Sequence, residues 1–206
     1  MLKVGITGGI GSGKSTACNM FRNLGVPIFT ADVVGKQILN EDAAVKKQVI
    51  RTFGEDMYTA EGKIDRQRMA QLVFNDPNEL EKLNEIVHPK VNEAFEQWVE
   101  KNAKAPYVLK EAAILFETGN YYTLDKIINV FASKAQRIER IKKRDDVSEA
   151  DVLKRMRFQF SDAERNKMAD FILMNEDGNE EELLPQIMEL HEILLNETKQ
   201  WSMSIR

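Results

Sequence analysis

The chain has 206 residues, 43% of them hydrophobic, with 29 basic and 33 acidic side chains giving a formal net charge of −4. That length suits one core with an inserted subdomain, while the near-balanced charge leaves no broad cationic face for nucleic acid or an anionic membrane, so any anion site must be local. A lone cysteine, Cys18, the absence of a signal-like segment ahead of Leu2, and apolar runs far shorter than the ~18 residues of a membrane span point to a soluble, cytoplasmic protein.

In chain order, residues 4–7 are short, apolar and β-prone, a glycine cluster follows, and residues 15–24 place Met20, Phe21 and Leu24 at helical spacing. Gly25 suits a helix C-cap, and residues 26–30 read as a second strand that Pro27 restricts to a strand start or edge. Asp32 falls just beyond it. Residues 33–104 are almost wholly helical in pattern, with breaks expected at 58–62, at Asn75-Asp76-Pro77 and at His88-Pro89.

Strand character returns at 107–110, is expected to continue through 112–116, and reappears at 126–131 after a Gly119-Asn120 turn. Residues 133–143 and 148–160 read as charged helices, the second opening on a capping-box pattern from Ser148 to Asp151. Residues 171–174 form a last short strand. Residues 180–196 are an amphipathic helix with Leu183, Ile187, Leu190 and Leu194 on one face, and 197–206 read as a loose tail. Strands alternating with helices predict a parallel α/β sheet.

Gly8-Gly9-Ile10-Gly11-Ser12-Gly13-Lys14-Ser15 fits G-x-x-x-x-G-K-[ST] and lies between a predicted strand and a predicted helix, the context that gives this phosphate-binding loop, or P-loop, its meaning. A triphosphate leaves water only for many aligned donors and a cation. Glycines let successive backbone N–H groups turn toward one centre, and the following helix adds the positive end of its dipole. Lys14 is then expected to bridge the β- and γ-phosphates of ATP, the Ser15 hydroxyl to ligate Mg²⁺, and Thr16 to support the α-phosphate side. Cys18, on the helix after the loop, reads as a small core residue.

A P-loop serves GTPases, motor ATPases and metabolite kinases alike, and its companions separate them. Asn166-Lys167-Met168-Ala169-Asp170 has one residue too many for the N-K-x-D guanine box, and the strand at 107–110 ends in Glu111 where a motor ATPase places an aspartate. A metabolite kinase needs an acceptor domain, a base near the transferred phosphate and an arginine-rich lid. Candidates for all three are present.

Several segments, in order and at similar spacing, together resemble the dephospho-CoA kinase family over nearly the whole chain. They are the stretch from Gly5 to Thr16, Ala31-Asp32, His88-Pro89, the run from Ile114 to Gly119, Arg140 with Arg144-Asp145, Arg155 with Gln159, and Ala169-Asp170 followed by Asn175. The resemblance implies a three-layer P-loop NTPase-type fold with a five-stranded parallel core at about 1–32, 105–132 and 166–196, a helical acceptor-binding insertion at about 33–104, and a helical lid at about 133–165. It implies ATP- and Mg²⁺-dependent phosphorylation of the ribose 3′-hydroxyl of dephospho-CoA. Another nucleoside or nucleotide kinase is the alternative, and a non-catalytic nucleotide sensor a third. Oligomeric state is left open.

In the family the aspartate after the second strand is the base for the ribose hydroxyl, which assigns that role to Asp32. Glu111 stands where many relatives have aspartate and could reach the metal through water. The run from Ile114 to Gly119 is similar to the family's P-L-L-F-E-x-G segment with Ala113-Ile114 replacing Pro-Leu; Phe116 is then core, and Glu117 and Gly119 shape the acceptor pocket. Arg140, Arg144 and Arg155 are expected on the donor's phosphates, Arg140 also at the transferring group. Arg137 and Arg157 read equally as a solvated face. His88 is a candidate acceptor contact on a helix opened by Pro89, and Asn175 a candidate at the adenine edge.

Overall fold

Residues 1–73 and 76–204 are described by the computed structural model. The short apolar stretches become β1 (Leu2–Thr7), β2 (Ile28–Thr30), β3 (Tyr107–Glu111), β4 (Lys126–Phe131) and β5 (Phe171–Met174), joined in one parallel sheet of order β2-β3-β1-β4-β5. Central β1 is covered on both faces, so Val4 and Ile6 are fully buried and its sequence runs apolar rather than alternating. Ile6 stands opposite Glu111 of β3 and Ile128 of β4. The carboxyl ends of the three middle strands therefore converge, the edge at which open α/β sheets hold ligands.

The helices are α1 (Lys14–Asn23), α2 (Ala31–Glu41), α3 (Ala43–Phe53), α4 (Arg66–Val73), α5 (Pro77–Lys101), α6 (Lys134–Asp145), α7 (Glu149–Met156), α8 (Asp162–Met168) and α9 (Glu180–Ser204). Ala17, Met20 and Phe21 of α1 and Leu183, Ile187, Leu190 and Leu194 of α9 recur at helical spacing and pack on Val4, Ile6, Leu109, Ile128, Val130 and Leu173 of the sheet. Each such side chain contributes roughly 1.5–3 kcal/mol through its removal from water. This layer fixes where α1, and hence the loop ahead of it, begins.

The chain divides into two compact units, Met1–Phe29 with Lys101–Arg206, and Thr30–Glu100. The second unit is helical apart from a small hairpin bridged between Tyr58 and Ile64. Lys46 Nζ donates to the Gly62 carbonyl at 2.7 Å, the Tyr58 hydroxyl to the Leu39 carbonyl at 2.9 Å, and the Ile64 N–H to Asn40 Oδ1 at 3.0 Å. Those bonds tie the predicted break at 58–62 to α2 and α3.

Other boundaries differ from expectation. No break falls at His88-Pro89, because Pro89 lies inside α5. An interior proline costs about 3 kcal/mol, and the burial of Val87, Val91, Phe95 and Val99 along one side of the helix offsets it. At the other expected break, Asn75 is outside the described residues, and Pro77 takes the first helical position of α5, where it loses no bond.

Residues 112–116 do not extend β3. After the Ala112 N–H reaches the Ile6 carbonyl at 3.2 Å the chain folds into turns, the Thr118 N–H closing on the Ile114 carbonyl, with Leu115 and Phe116 turned into the core. The expected loose tail is helical to Ser204, and residues 205–206 are outside the described residues. Among the described residues no helix is long and apolar enough to cross a membrane.

Candidate active site

The loop at 8–13 leaves β1 and enters α1 at Lys14. Gly13 is the N-cap, in left-handed conformation (φ 90°, ψ 19°), and no side chain caps the helix. The first N–H groups of α1 are thus left for an anion rather than spent on a serine or aspartate cap. Gly13 is required on two counts, its positive φ and the Asn175 amide, into which a methyl group at this position would run. Asn175, at the end of β5, is 1% exposed and donates Nδ2 to the Ser12 carbonyl at 2.7 Å. Expected at the adenine edge, it is placed against the loop by this bond to Ser12.

Lys14 Nζ lies 3.0 Å from Glu111 Oε1, the two side chains 13% and 11% exposed. The adjacency of β1 and β3 brings them together. Ser15 and Thr16 follow in the first turn of α1, Ser15 exposed. The hydroxyls of Thr7 and Ser12 are buried without a hydrogen-bond partner. Cys18 bears out its reading as core, since burial, and then the charge of Glu111, pushes its thiol up to about 12. It is neutral and unreactive.

Gln159, just past α7, joins two of the site's segments. Its Oε1 accepts the Ile10 N–H at 2.8 Å and its Nε2 donates to the Ala113 carbonyl at 2.9 Å. The neighbouring Phe160 N–H donates to Glu117 Oε1 at 2.7 Å, while Glu117 Oε2 is buried without a partner. Phe116 is buried and meets Tyr121 edge-on at 5.5 Å between ring centroids. Gly119, with φ 67°, turns the chain into the short helical turn Asn120–Thr123.

Along α6, Arg140 reaches the carbonyls of Asn175 and Glu176 at 2.9 and 2.6 Å and that of Gly11 at 3.5 Å. It stands against the loop. Arg144 and Arg155 share the Asp145 carboxylate, at 2.7 Å from Arg144 Nε and 2.7 Å from Arg155 Nη1. Those bonds, Arg144's first, hold the Asp145 carboxyl at about 2. Ile138, Ile141 and Val152 form a small apolar cluster on which Ile10 packs, so α6 and α7 rest on the loop.

Arg137 is no solvated side chain. It is 4% exposed, paired with Asp162, and accompanied by Arg165 at 2%. Sequence reasoning did not single out Asp162 or Arg165. The available signal was their i,i+3 spacing on a helix opened by a full Ser161–Glu164 capping box. Asp32 lies in the first turn of α2, directly after β2, and His88 within α5, half-buried. Both belong to the second unit, whereas the loop, Glu111, Glu117 and the arginines belong to the first.

A family model described as dephospho-CoA kinase matches residues 2–181. A dephospho-CoA kinase of Chlorobaculum tepidum is 40% identical over 200 residues, covering 94% of this chain and 95% of its own, and one of Bacteroides fragilis is 36% identical over 189 residues, covering 92% and 91%. Among solved structures, a Thermus thermophilus protein superposes with a TM-score of 0.82 at 32% identity, covering 93% of this chain and 96% of its own. The Campylobacter jejuni dephospho-CoA kinase gives 0.68 at 26%, covering 94% and 97%. A shikimate kinase of Bacteroides thetaiotaomicron, 13% identical with a TM-score of 0.50, shares the fold.

Proposed function

The chain belongs to the dephospho-CoA kinase family, and from that premise we propose that it transfers the terminal phosphoryl group of ATP to the ribose 3′-hydroxyl of dephospho-CoA, in the cytoplasm, giving CoA and ADP. The observation that carries this reading is Lys14 poised 3.0 Å from Glu111 at the mouth of a glycine loop whose following helix has no side-chain cap.

The residues present fit a triphosphate and a divalent cation. Glycines leave the loop backbone approachable, and the buried Ser12 hydroxyl has no partner of its own. The Ser15 hydroxyl and the Glu111 carboxylate are hard oxygen donors suited to Mg²⁺. No cluster of three or more acidic, histidine or cysteine side chains exists among the described residues to cage a metal, which suits an ion that keeps water and phosphate oxygens as ligands. Bound with ATP, Mg²⁺ would neutralise charge on the β- and γ-oxygens.

The protein's part is binding, orientation and one proton transfer. Lys14 leaves Glu111 for the β- and γ-phosphates, where its charge matters most as the bond to the bridging oxygen breaks. Asp32 accepts the proton of the 3′-hydroxyl while that oxygen bonds to phosphorus. Arg140 steadies the transferring group, Arg144 and Arg155 grip the donor, and Gln159 holds the Ile10 end of the loop in place. Glu117, Gly119 and His88 border the acceptor. The test is ADP release with a panel of acceptors: turnover with dephospho-CoA supports the reading. Turnover with AMP, CMP or nucleosides alone replaces it with another nucleotide kinase, and ATP binding without acceptor-dependent ADP release makes the protein a sensor.

A further inference from the structure

Two guanidinium groups outside this chemistry lie against the loop at Gly9. A methyl group added at Gly9 would collide with Arg137 Nη1 of α6 and come within 2.8 Å of Arg165 Nη2 of α8. One carboxylate serves both. Asp162 receives Arg137 Nη2 at 2.7 and 3.0 Å on its two oxygens, and Arg165 Nη2 on one of them. Arg165 Nη1 goes to the Phe160 carbonyl at 2.6 Å, and the Nε–H groups of both arginines are buried without a partner.

The cluster therefore sets two buried cations against one partly exposed anion. Beside it, the Glu117 carboxylate takes the Phe160 N–H at 2.7 Å. Arg140, on the next turn of α6, adds a cation bonded only to carbonyls, and Lys14 is already matched by Glu111. Burial pulls the Arg137 guanidinium down from its usual range, Asp162 opposes that, and Arg165 adds to it. A surplus buried charge destabilises a folded chain unless something of opposite sign approaches it. The adjacent loop is built to hold such a group.

We propose that the surplus positive charge of the Arg137–Asp162–Arg165 cluster is a donor-binding element, offset by the phosphates of ATP on the adjacent loop, so that donor binding stabilises the packing of α6 and α8 against Gly9. Arg137 and Arg165 are positioning residues that act through the field at the loop. Asp162 sets how much of that field remains. The inference rests on the reading that the loop holds ATP.

Two substitutions move the surplus in opposite directions. Arg137→Met leaves a neutral Asp162–Arg165 pair: the ligand-free melting temperature is unchanged or higher, the ATP-induced rise shrinks, and ATP binds roughly tenfold more weakly, a difference of about 1.4 kcal/mol. Asp162→Asn removes the anion bonded to both arginines: the ligand-free protein melts lower and the ATP-induced rise grows. Arg137→Lys, which keeps the charge, preserves the rise. The experiment is thermal unfolding of the four proteins with and without ATP and Mg²⁺. ATP-induced rises equal to wild type in both Arg137→Met and Asp162→Asn overturn the inference, whatever their ligand-free stabilities, because a purely structural cluster would change only those. If Arg137→Met fails to fold, Asp162→Asn and Arg137→Lys decide. A wild-type protein that ATP does not stabilise removes the underlying reading of the loop and the inference with it.

Discussion

Lys14 Nζ, on the first residue of α1, and Glu111 Oε1, on the last residue of β3, stand 3.0 Å apart. The pair is a unit: the two side chains meet in a site only about one-tenth exposed, and removing one strands the other. Lys14→Ala is expected to lower kcat by about a thousandfold, the scale of losing a principal transition-state donor. Glu111→Gln should cost about tenfold in the wild-type background and much less in Lys14→Ala, the non-additivity expected of coupled groups. Strictly multiplicative losses in the double variant would show that the two act separately.

Gln159 gives the loop its anchor at Ile10, and its loss should be felt in binding more than in folding. Gln159→Ala is expected to raise the KM for ATP several-fold while costing about 1 kcal/mol of stability per lost hydrogen bond. Hydrogen exchange at the Ile10 amide reports the local change. An unaltered KM with full loss of Ile10 protection would separate the anchor from donor binding.

The Asp145 carboxyl titrates at about 2, below its ordinary 3.8, because Arg144 and Arg155 hydrogen-bond its ionised form. A depressed folded value means that this carboxylate's contribution to stability is complete above pH 4 and is lost as the pH falls through about 2. Asp145→Asn should therefore melt below wild type at pH 5, with the gap closing toward pH 2. A gap of constant size across that range would contradict the assignment.

With its thiol pushed up to about 12, Cys18 should resist alkylation at pH 8 in the native protein and react at the ordinary rate once unfolded. Native-state labelling as fast as that of a free thiol would contradict its burial on the inner face of α1.

What was legible in the sequence was local. The strand, glycine loop and helix from Leu2 to Asn23 follow from turn chemistry and periodicity within one short segment, and the parallel sheet follows from the alternation of such segments. Pro89 misled because helix breaking is judged from one residue, whereas the helix survives on apolar contacts made at four positions along its length. Arg137 and Arg165 look like any surface arginines in the sequence. Their burial depends on where α6 and α8 settle against Gly9, a long-range fact that no periodicity carries. Asn175 is the same case: the family resemblance marked it, but only β5 lying beside β4 brings its amide to Ser12.

Phosphorus NMR of a reaction containing ATP, Mg²⁺ and dephospho-CoA, run with the wild-type enzyme and with Asp32→Asn, tests the transfer itself. A phosphomonoester appearing on the ribose 3′-oxygen with the native protein, and forming about a thousandfold more slowly once the carboxylate beyond β2 is an amide, is the predicted outcome. No phosphorylated acceptor, or one formed just as fast without that carboxylate, would contradict the account.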